Sequence, residues 1–506
     1  MRDEHVNECM TKNEFAERYS AAAFFLLTFG FFLVFFTRVH PLVIYDGDDW
    51  RYIAYTRQAL PSWNEWNPSR VFAECFQPLM GYFAAYVLTP LIGDYLHAQT
   101  IAVALLLSSM VTAYLWLFYR VVLGAGGGRF RALSMTILFL LFHFLILKTQ
   151  RAGNPYLFWS ANVTCVYNYL MPMLLDASLV LLMMREGRLT EIFHRCSAVQ
   201  AGLLSFWIYF AIFSGVFHSI IFVVFLSWYS FFDLRKSAGG VRVWAAAHRA
   251  ELVVLALWLF SLVIEMQGGR ARAIGRPFFQ LPWMETLQSA MALWHQLNTG
   301  VAAFGIVIAI LAAVGIGRGC RNEDERKTLK FLGLSALSMV VAFVYLFLVC
   351  AKSVPVYFER SDVAGCGLFY LLLLTCLAIN HFVRRYPAFL RAMPILMFVV
   401  LIASLNPNRG FYPSTMGHVP EKTCDAISHE ILAQLLEAEQ AGEERVTLHV
   451  PVGNAETNWP HDRFLKDVLN NTLTRHGVLT YPLEIEIQPD PVMNQKYHLT
   501  DEGAAR

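Results

Sequence analysis

Residues 24–36 read Phe24-Phe25-Leu26-Leu27-Thr28-Phe29-Gly30-Phe31-Phe32-Leu33-Val34-Phe35-Phe36, without a single charge, inside an apolar run over 21–39. A hydrocarbon layer about 30 Å thick takes roughly 20 apolar residues per helix, and backbone groups in lipid must bond within their own segment, so this run predicts a membrane-spanning helix. Ten further runs have the same character, near 95–118, 133–147, 166–184, 198–213, 216–232, 250–266, 299–315, 330–350, 364–382 and 390–404. The shortest is 133–147, and one pair turns sharply at Ser214-Gly215. The pattern predicts a mainly α, polytopic membrane protein of about 11 transmembrane helices.

Composition agrees. Hydrophobic residues make up 56% of the 506 and charged residues only 15%, with a mean hydropathy of +0.45, against roughly 45–50% and 25% in soluble domains. A soluble globular protein is excluded. The 40 Lys and Arg nearly balance the 38 Asp and Glu, for a formal charge of +2, so the basic surface that nucleic acid requires is lacking and no nucleic-acid partner is expected. Nine scattered cysteines without a CxxC spacing indicate neither a disulfide framework nor a zinc site, and read as packing residues.

Residues 1–20 carry both charge signs, unlike the short basic start of a cleavable signal peptide, so the first helix is expected to be retained. With this tail cytoplasmic, the inside segments hold 21 Lys and Arg and the outside loops before residue 405 hold 11, with 8 more in the C-terminal tail. That bias fits the positive-inside rule and an odd number of spans, which puts the tail outside. The chain therefore divides into a tail over 1–20, a membrane unit over 21–404 and an outer C-terminal region over 405–506.

Two outer regions exceed simple connectors: the first loop, 40–94, and the C-terminal region. The loop holds Tyr45-Asp46-Gly47-Asp48-Asp49-Trp50-Arg51, Trp63, Trp66, Arg70 and Glu74, then an apolar stretch, 76–92, that reads as an interfacial helix carrying Tyr82 and Tyr86. The tail reads as a small α+β domain: a helix near 421–440, a strand over 445–450, a helix near 462–474 and an alternating strand over 483–487.

Asp46, Asp48 and Asp49 place three carboxylates within four residues. Crowding of like charges raises a carboxylate pKa and makes a better general base. The same residues also read as a solvated acidic turn around Gly47, or as a loop binding a divalent cation such as Mg or Mn. The flanking aromatic residues favour a site, because a few polar groups in a largely apolar pocket suit a sugar.

Arginines recur on the outer side, at Arg70, Arg151, Arg270, Arg272, Arg276 and Arg360, where they oppose the insertion rule. Guanidinium forks take phosphate oxygens in bidentate fashion, and Gly268-Gly269 before Arg270 let backbone N–H groups approach an anion. Headgroup anchoring, or pairing with Asp48, Glu74, Glu265 or Glu285, is the alternative for each. Trp159, Asn162, Asn168 and Tyr169 put amides and rings at the mouth of a span, where Asn168 either binds a ligand or joins helices. His218 reads as a packing histidine. The sequence holds no Walker motif, no GxSxG and no HExxH. Asn162-Val163-Thr164 is a glycosylation sequon only formally.

Taken in order, Asp48-Asp49-Trp50-Arg51-Tyr52-Ile53, Asn168-Tyr169 with Pro172, Gly268-Gly269-Arg270 and Tyr357-Phe358-Glu359-Arg360 resemble the motifs of multi-spanning GT-C glycosyltransferases. The pattern looks closest to the bacterial and phage serotype-converting O-antigen glucosyltransferases. It covers most of 20–410. The Gly-Gly-Arg stretch lacks the proline and asparagine of that element, and the tail after 410 matches no motif.

The resemblance implies a GT-C-like inner-membrane enzyme, its C-terminal domain periplasmic, that uses an undecaprenyl-phosphate-linked sugar, with glucose the expected one, and lipopolysaccharide O-antigen as acceptor. It implies functional links to a flippase and to the polyprenyl-phosphate glucosyltransferase that makes the donor. It implies inversion, with an early-loop aspartate as base. Asp48 is expected ahead of Asp49, since Trp50-Arg51 would hold Asp49 as an ion-paired anchor, with Asp46 beside them. Arg270 and Arg360 lead as phosphate ligands, then Arg70 and Arg276, with Trp50, Glu74, Trp159, Asn168 and Tyr169 at the sugar or acceptor. No redox cofactor is implied. A lipid-linked-sugar transporter and an O-antigen polymerase are the competing readings; a transporter would place ionisable groups at mid-membrane, for which Asp176 and Glu265 are the candidates.

Overall fold

The computed structural model describes residues 12–55, 68–126, 128–148, 156–235, 239–267, 278–320, 322–386, 388–404, 419–452 and 462–499. Arg151, Arg270, Arg272, Arg276, Trp63 and Trp66 lie outside these residues. Among the described residues, eight helices are long and apolar enough to cross a membrane: Tyr19–Val39, Val71–Ile92, Tyr95–Gly124, Val163–Glu186, Arg249–Gln267, Thr299–Gly319, Glu323–Lys352 and Ser361–Arg385. Four shorter apolar helices, Arg129–Leu145, Ala198–Ile212, Ser219–Leu234 and Ala388–Ser404, pack among them. The chain is a multi-pass helical membrane protein.

Ser361–Arg385 is the axis of the bundle, its most apolar window wholly buried, with Thr299–Gly319 and Glu323–Lys352 against it. Leu26, Leu27, Phe31, Val253, Leu259, Val307, Ile310, Val340 and Val344 point outward instead. In water such a belt would be a liability, whereas hydrocarbon receives it at no cost.

One end of the bundle is laced by charge. Arg384 donates to the Ala125 carbonyl and to Asp324, and Lys330 and His248 face Asp233. The opposite end carries the first loop, the turn at Ser214-Gly215 and the C-terminal region.

Val71–Ile92 is tied to elements of that second end. Its first residue donates N–H to the Phe213 carbonyl, Gly81 abuts the Ile53 carbonyl, and Tyr86 donates to the Arg475 carbonyl. The helix starts five residues before the 76–92 stretch read as interfacial, and over its full length it is long and apolar enough to cross a membrane. A Cβ at position 81 would run into the Ile53 carbonyl oxygen, so only glycine lets the loop backbone sit this close. Gly93, at φ 80°, ends the helix in the left-handed conformation, and Asp94 starts the next one by accepting the His97 N–H.

The tail forms a βαβ unit on the same face. Strand β1 (Arg445–Pro451) pairs in parallel with β2 (Glu484–Asp490), from Arg445 opposite Glu484 to Pro451 opposite Asp490, with helix Asp462–Arg475 between them in sequence. Two parallel strands need such a crossover. Helix Glu421–Gln440 covers β1. The α+β character read from the alternation is present, with β2 running to Asp490 beyond the expected end at 487.

Candidate active site

The acidic turn is built by its own side chains. Asp46 sits in extended conformation at the N-terminus of a short helix, Gly47–Tyr52; its Oδ1 accepts the Asp48 N–H at 2.9 Å, while Asp49 Oδ2 accepts the Asp46 N–H at 3.3 Å. This reciprocal capping satisfies the orphan donors of a helix start, and it explains the spacing of Asp46 and Asp49.

Asp49 also reaches across the fold. Its Oδ1 accepts the Thr164 N–H at 2.7 Å, at the start of Val163–Glu186. Asn162 caps that helix through Cys165 N–H, and Gln77 donates to the Thr164 hydroxyl. Asn162-Val163-Thr164 thus serves as a helix start that receives a carboxylate. Sequence reading passed over Thr164 and Gln77, because their partners lie 115 and 87 positions away along the chain.

The three carboxylates are not equivalent. Asp46 and Asp49 are buried, Asp49 completely, whereas Asp48 is exposed. Burial pushes the Asp49 carboxyl up to about 7 against the pull of its N–H donors, and burial with the neighbouring Asp49 charge raises Asp46 well above the carboxylate range. The expected Arg51 anchor for Asp49 is not what the structure has. Arg51 is exposed and lies over the Tyr52 ring, and backbone N–H groups hold Asp49.

One turn along the same helix, a cavity opens. It encloses about 700 Å³, counting its open mouth, and is lined by Arg70, Asn168, Tyr169, Glu265, Lys352 and Tyr357 with the Ser214–Phe217 turn. Asn168 and Tyr169 lie in a π-helical segment, Val166–Leu170, an irregularity frequent at functional sites. Asn168 Nδ2 donates back to the Thr164 carbonyl at 2.8 Å, leaving a buried Oδ1 without a partner among the described residues. Thr164 therefore joins the acidic turn to the cavity.

The arginines divide. Arg70 lines the cavity and has no carboxylate partner among the described residues. Arg360 is already engaged: its Nε and Nη2 donate to Asp362 Oδ1 and Oδ2 at 3.0 and 2.7 Å, and its guanidinium lies 4.7 Å from the Tyr169 ring and 5.0 Å from that of Tyr357. Burial opposes its charge, and its neighbours together, Asp362 foremost with Cys165 and Tyr169, outweigh burial, so the guanidinium stays protonated. It braces the Tyr169–Tyr357 wall.

Trp50 is buried, and its carbonyl accepts from the Thr472 hydroxyl of the tail. Glu74 is buried in Val71–Ile92, and Trp159 is half-buried just before the Asn162 cap. Neither lines the cavity. His218, buried, meets the Asp362 carbonyl through Nε2 at 2.8 Å, as a packing histidine does.

Against protein-family models, curated proteins and solved structures alike, the chain finds no match.

Proposed function

We propose that this chain is an inverting GT-C glycosyltransferase that moves a sugar, glucose on the resemblance, from a polyprenyl-phosphate donor to lipopolysaccharide O-antigen at the periplasmic face of the bacterial inner membrane. The observation that carries the reading is the bridge through Thr164, which sets an acidic turn one helical turn from a cavity furnished with Arg70, Lys352, Asn168 and two tyrosines packed edge to face.

In this reading eleven helices cross the bilayer and Val71–Ile92 lies in the outer interface. The N-terminus is cytoplasmic and the tail periplasmic, in keeping with the 21 inside and 11 outside cations.

Asp48 is the base. It is the one exposed carboxylate of the turn, and Asp46 and Asp49 hold the backbone that presents it. Asp48 takes the acceptor hydroxyl proton as that oxygen bonds to the anomeric carbon from the face opposite the phosphate. The bond from anomeric carbon to phosphate oxygen breaks, and polyprenyl phosphate leaves with the electron pair. Arg70 and Lys352 meet the charge that develops on it. Arg270 and Arg276 follow directly in sequence after Glu265 and Met266 of the cavity wall, which keeps them in the proposed phosphate set. Arg360 acts by holding the tyrosine wall.

The test is transfer of radiolabelled glucose from synthetic polyprenyl-phosphate-glucose to lipopolysaccharide by purified protein in nanodiscs. Label that disappears with Asp48→Asn supports the assignment. Absence of label from well-folded protein over several donor sugars rejects it.

One observation favours the translocator reading. Asp176 is wholly buried within Val163–Glu186, and neither oxygen has a hydrogen-bond partner among the described residues. An ionisable group at such depth is a hallmark of translocation pathways. Flipping of a fluorescent lipid-linked sugar in proteoliposomes, lost in Asp176→Asn, would carry that reading instead.

A further inference from the structure

Away from the acidic turn and the cavity, Asp94, His97 and His429 bring one carboxylate oxygen and two ring nitrogens within 4.8 Å of one another. Asp94 and His97 come from the start of Tyr95–Gly124, and His429 from the tail helix Glu421–Gln440. Asp94 Oδ2 lies 2.9 Å from His97 Nδ1 and 3.1 Å from His429 Nε2.

The far nitrogens of both rings are turned to one residue. His429 Nδ1 lies 2.8 Å from the Asp425 carbonyl oxygen, which can only accept, so Nδ1 keeps a proton and Nε2, facing Asp94 at 3.1 Å, is the nitrogen that would give up its proton to a metal ion. His97 turns Nδ1 to Asp94 at 2.9 Å and Nε2 towards Asp425 Oδ2 at 3.9 Å. Two ring nitrogens and a carboxylate oxygen therefore converge on one point, where a metal ion would replace the protons now shared with Asp94. A histidine whose second N–H is held by a carbonyl or carboxylate is the usual surrounding of a metal ligand.

The geometry points to a divalent metal site of the zinc class, with Asp94, His97 Nδ1 and His429 Nε2 as ligands, Asp425 as their orienting partner, and water completing the shell. Tetrahedral zinc with bonds of about 2.0–2.2 Å sets its ligand atoms roughly 3.4 Å apart. The two separations to Asp94 need open by only a few tenths of an ångström to meet that. Side-chain exposures of 30%, 49% and 34% give an ion a route in from solvent. The ion would clasp the tail to the membrane unit across 335 positions of sequence, and its role is structural.

The experiment uses the full, untagged chain in detergent, stripped with chelator and then dialysed against zinc. About one zinc per chain should remain, the unfolding midpoint should rise on zinc addition, and the tail should become more resistant to protease. His97→Gln with His429→Gln should abolish all three effects, and Asp425→Asn should weaken zinc binding about 10–100-fold. Should the double variant fail to fold, cobalt in the wild-type chain decides: intense visible bands of a four-coordinate ion support the site, and their absence overturns it. Unchanged zinc binding by a folded double variant, or none by the wild type, also overturns it and leaves a hydrogen-bonded Asp–His cluster.

Discussion

Thr164 donates its backbone N–H to Asp49 at 2.7 Å, so one carboxylate caps its own helix and the start of a second helix from 115 positions away. The acidic turn is consequently a fixed part of the membrane unit. Stability and chemistry are assigned to different members of the same three carboxylates.

For Asp49 the stability consequence has a definite sign. Its carboxyl titrates at about 7 in the folded chain against 3.8 as a free side chain. Between those values the folded state binds the extra proton, so the contribution of this group to stability falls as pH rises, by at most about 1.4 kcal/mol per pH unit, and is flat above about pH 7. In unfolding curves from pH 4 to 8, the wild-type midpoint should fall relative to that of Asp49→Asn. Parallel curves would refute the buried, protonated assignment.

Asp48→Asn should behave in the opposite way. The side chain is exposed, so folding should be unchanged within about 0.5 kcal/mol, while loss of a general base should lower the transfer rate about 10²–10⁴-fold. Single-turnover transfer combined with thermal unfolding checks both halves. A destabilised Asp48→Asn protein would return this carboxylate to a structural role.

Arg360 and Arg70 should separate in the same pair of assays. Arg360→Ala leaves the buried Asp362 carboxylate uncompensated, a loss of about 3–5 kcal/mol, and Arg360→Lys should rescue it poorly because a bidentate fork is replaced by a point charge. Arg70→Ala should leave stability nearly intact and weaken donor use, seen as a higher KM for the polyprenyl-phosphate sugar. Equal effects on stability would show that both are structural braces.

Gly81→Ala forces a methyl group against the Ile53 carbonyl, where backbone cannot yield as a side chain would. A cost of about 1–3 kcal/mol is expected, with transfer falling more steeply than stability because the displaced segment directly follows Trp50. Wild-type transfer by the alanine variant would mean that the loop tolerates a shift of this size.

The apolar helices and the strands of the tail were legible in the sequence because each is a local periodicity: long apolar runs, and alternation in Leu483-Glu484-Ile485-Glu486-Ile487. What single-chain reading missed is contact over distance. Asp46, Asp48 and Asp49 look alike in sequence, whereas in the fold Asp46 and Asp49 are buried, Asp49 against Thr164, and Asp48 is exposed. Arg360 looked available because nothing in the sequence marks Asp362, two residues on, as its buried partner. Asp94-x-x-His97 and His429 carried no motif, since half of the cluster arrives with the tail.

The tail leans on the first loop at several points: Ser428 on the Ile44 carbonyl, Thr472 on that of Trp50, His476 on that of Ile53, and Glu421 against His40. Ribosomes make the loop nearly four hundred residues before the groups that seat it. Throughout synthesis and insertion the acidic turn is thus an unfinished part, and a chain that stops early never receives its last fitting. Completeness of translation is in this way written into the geometry of the loop, and a nonsense mutation even at position 420 should yield a protein that inserts and yet leaves its first loop unseated.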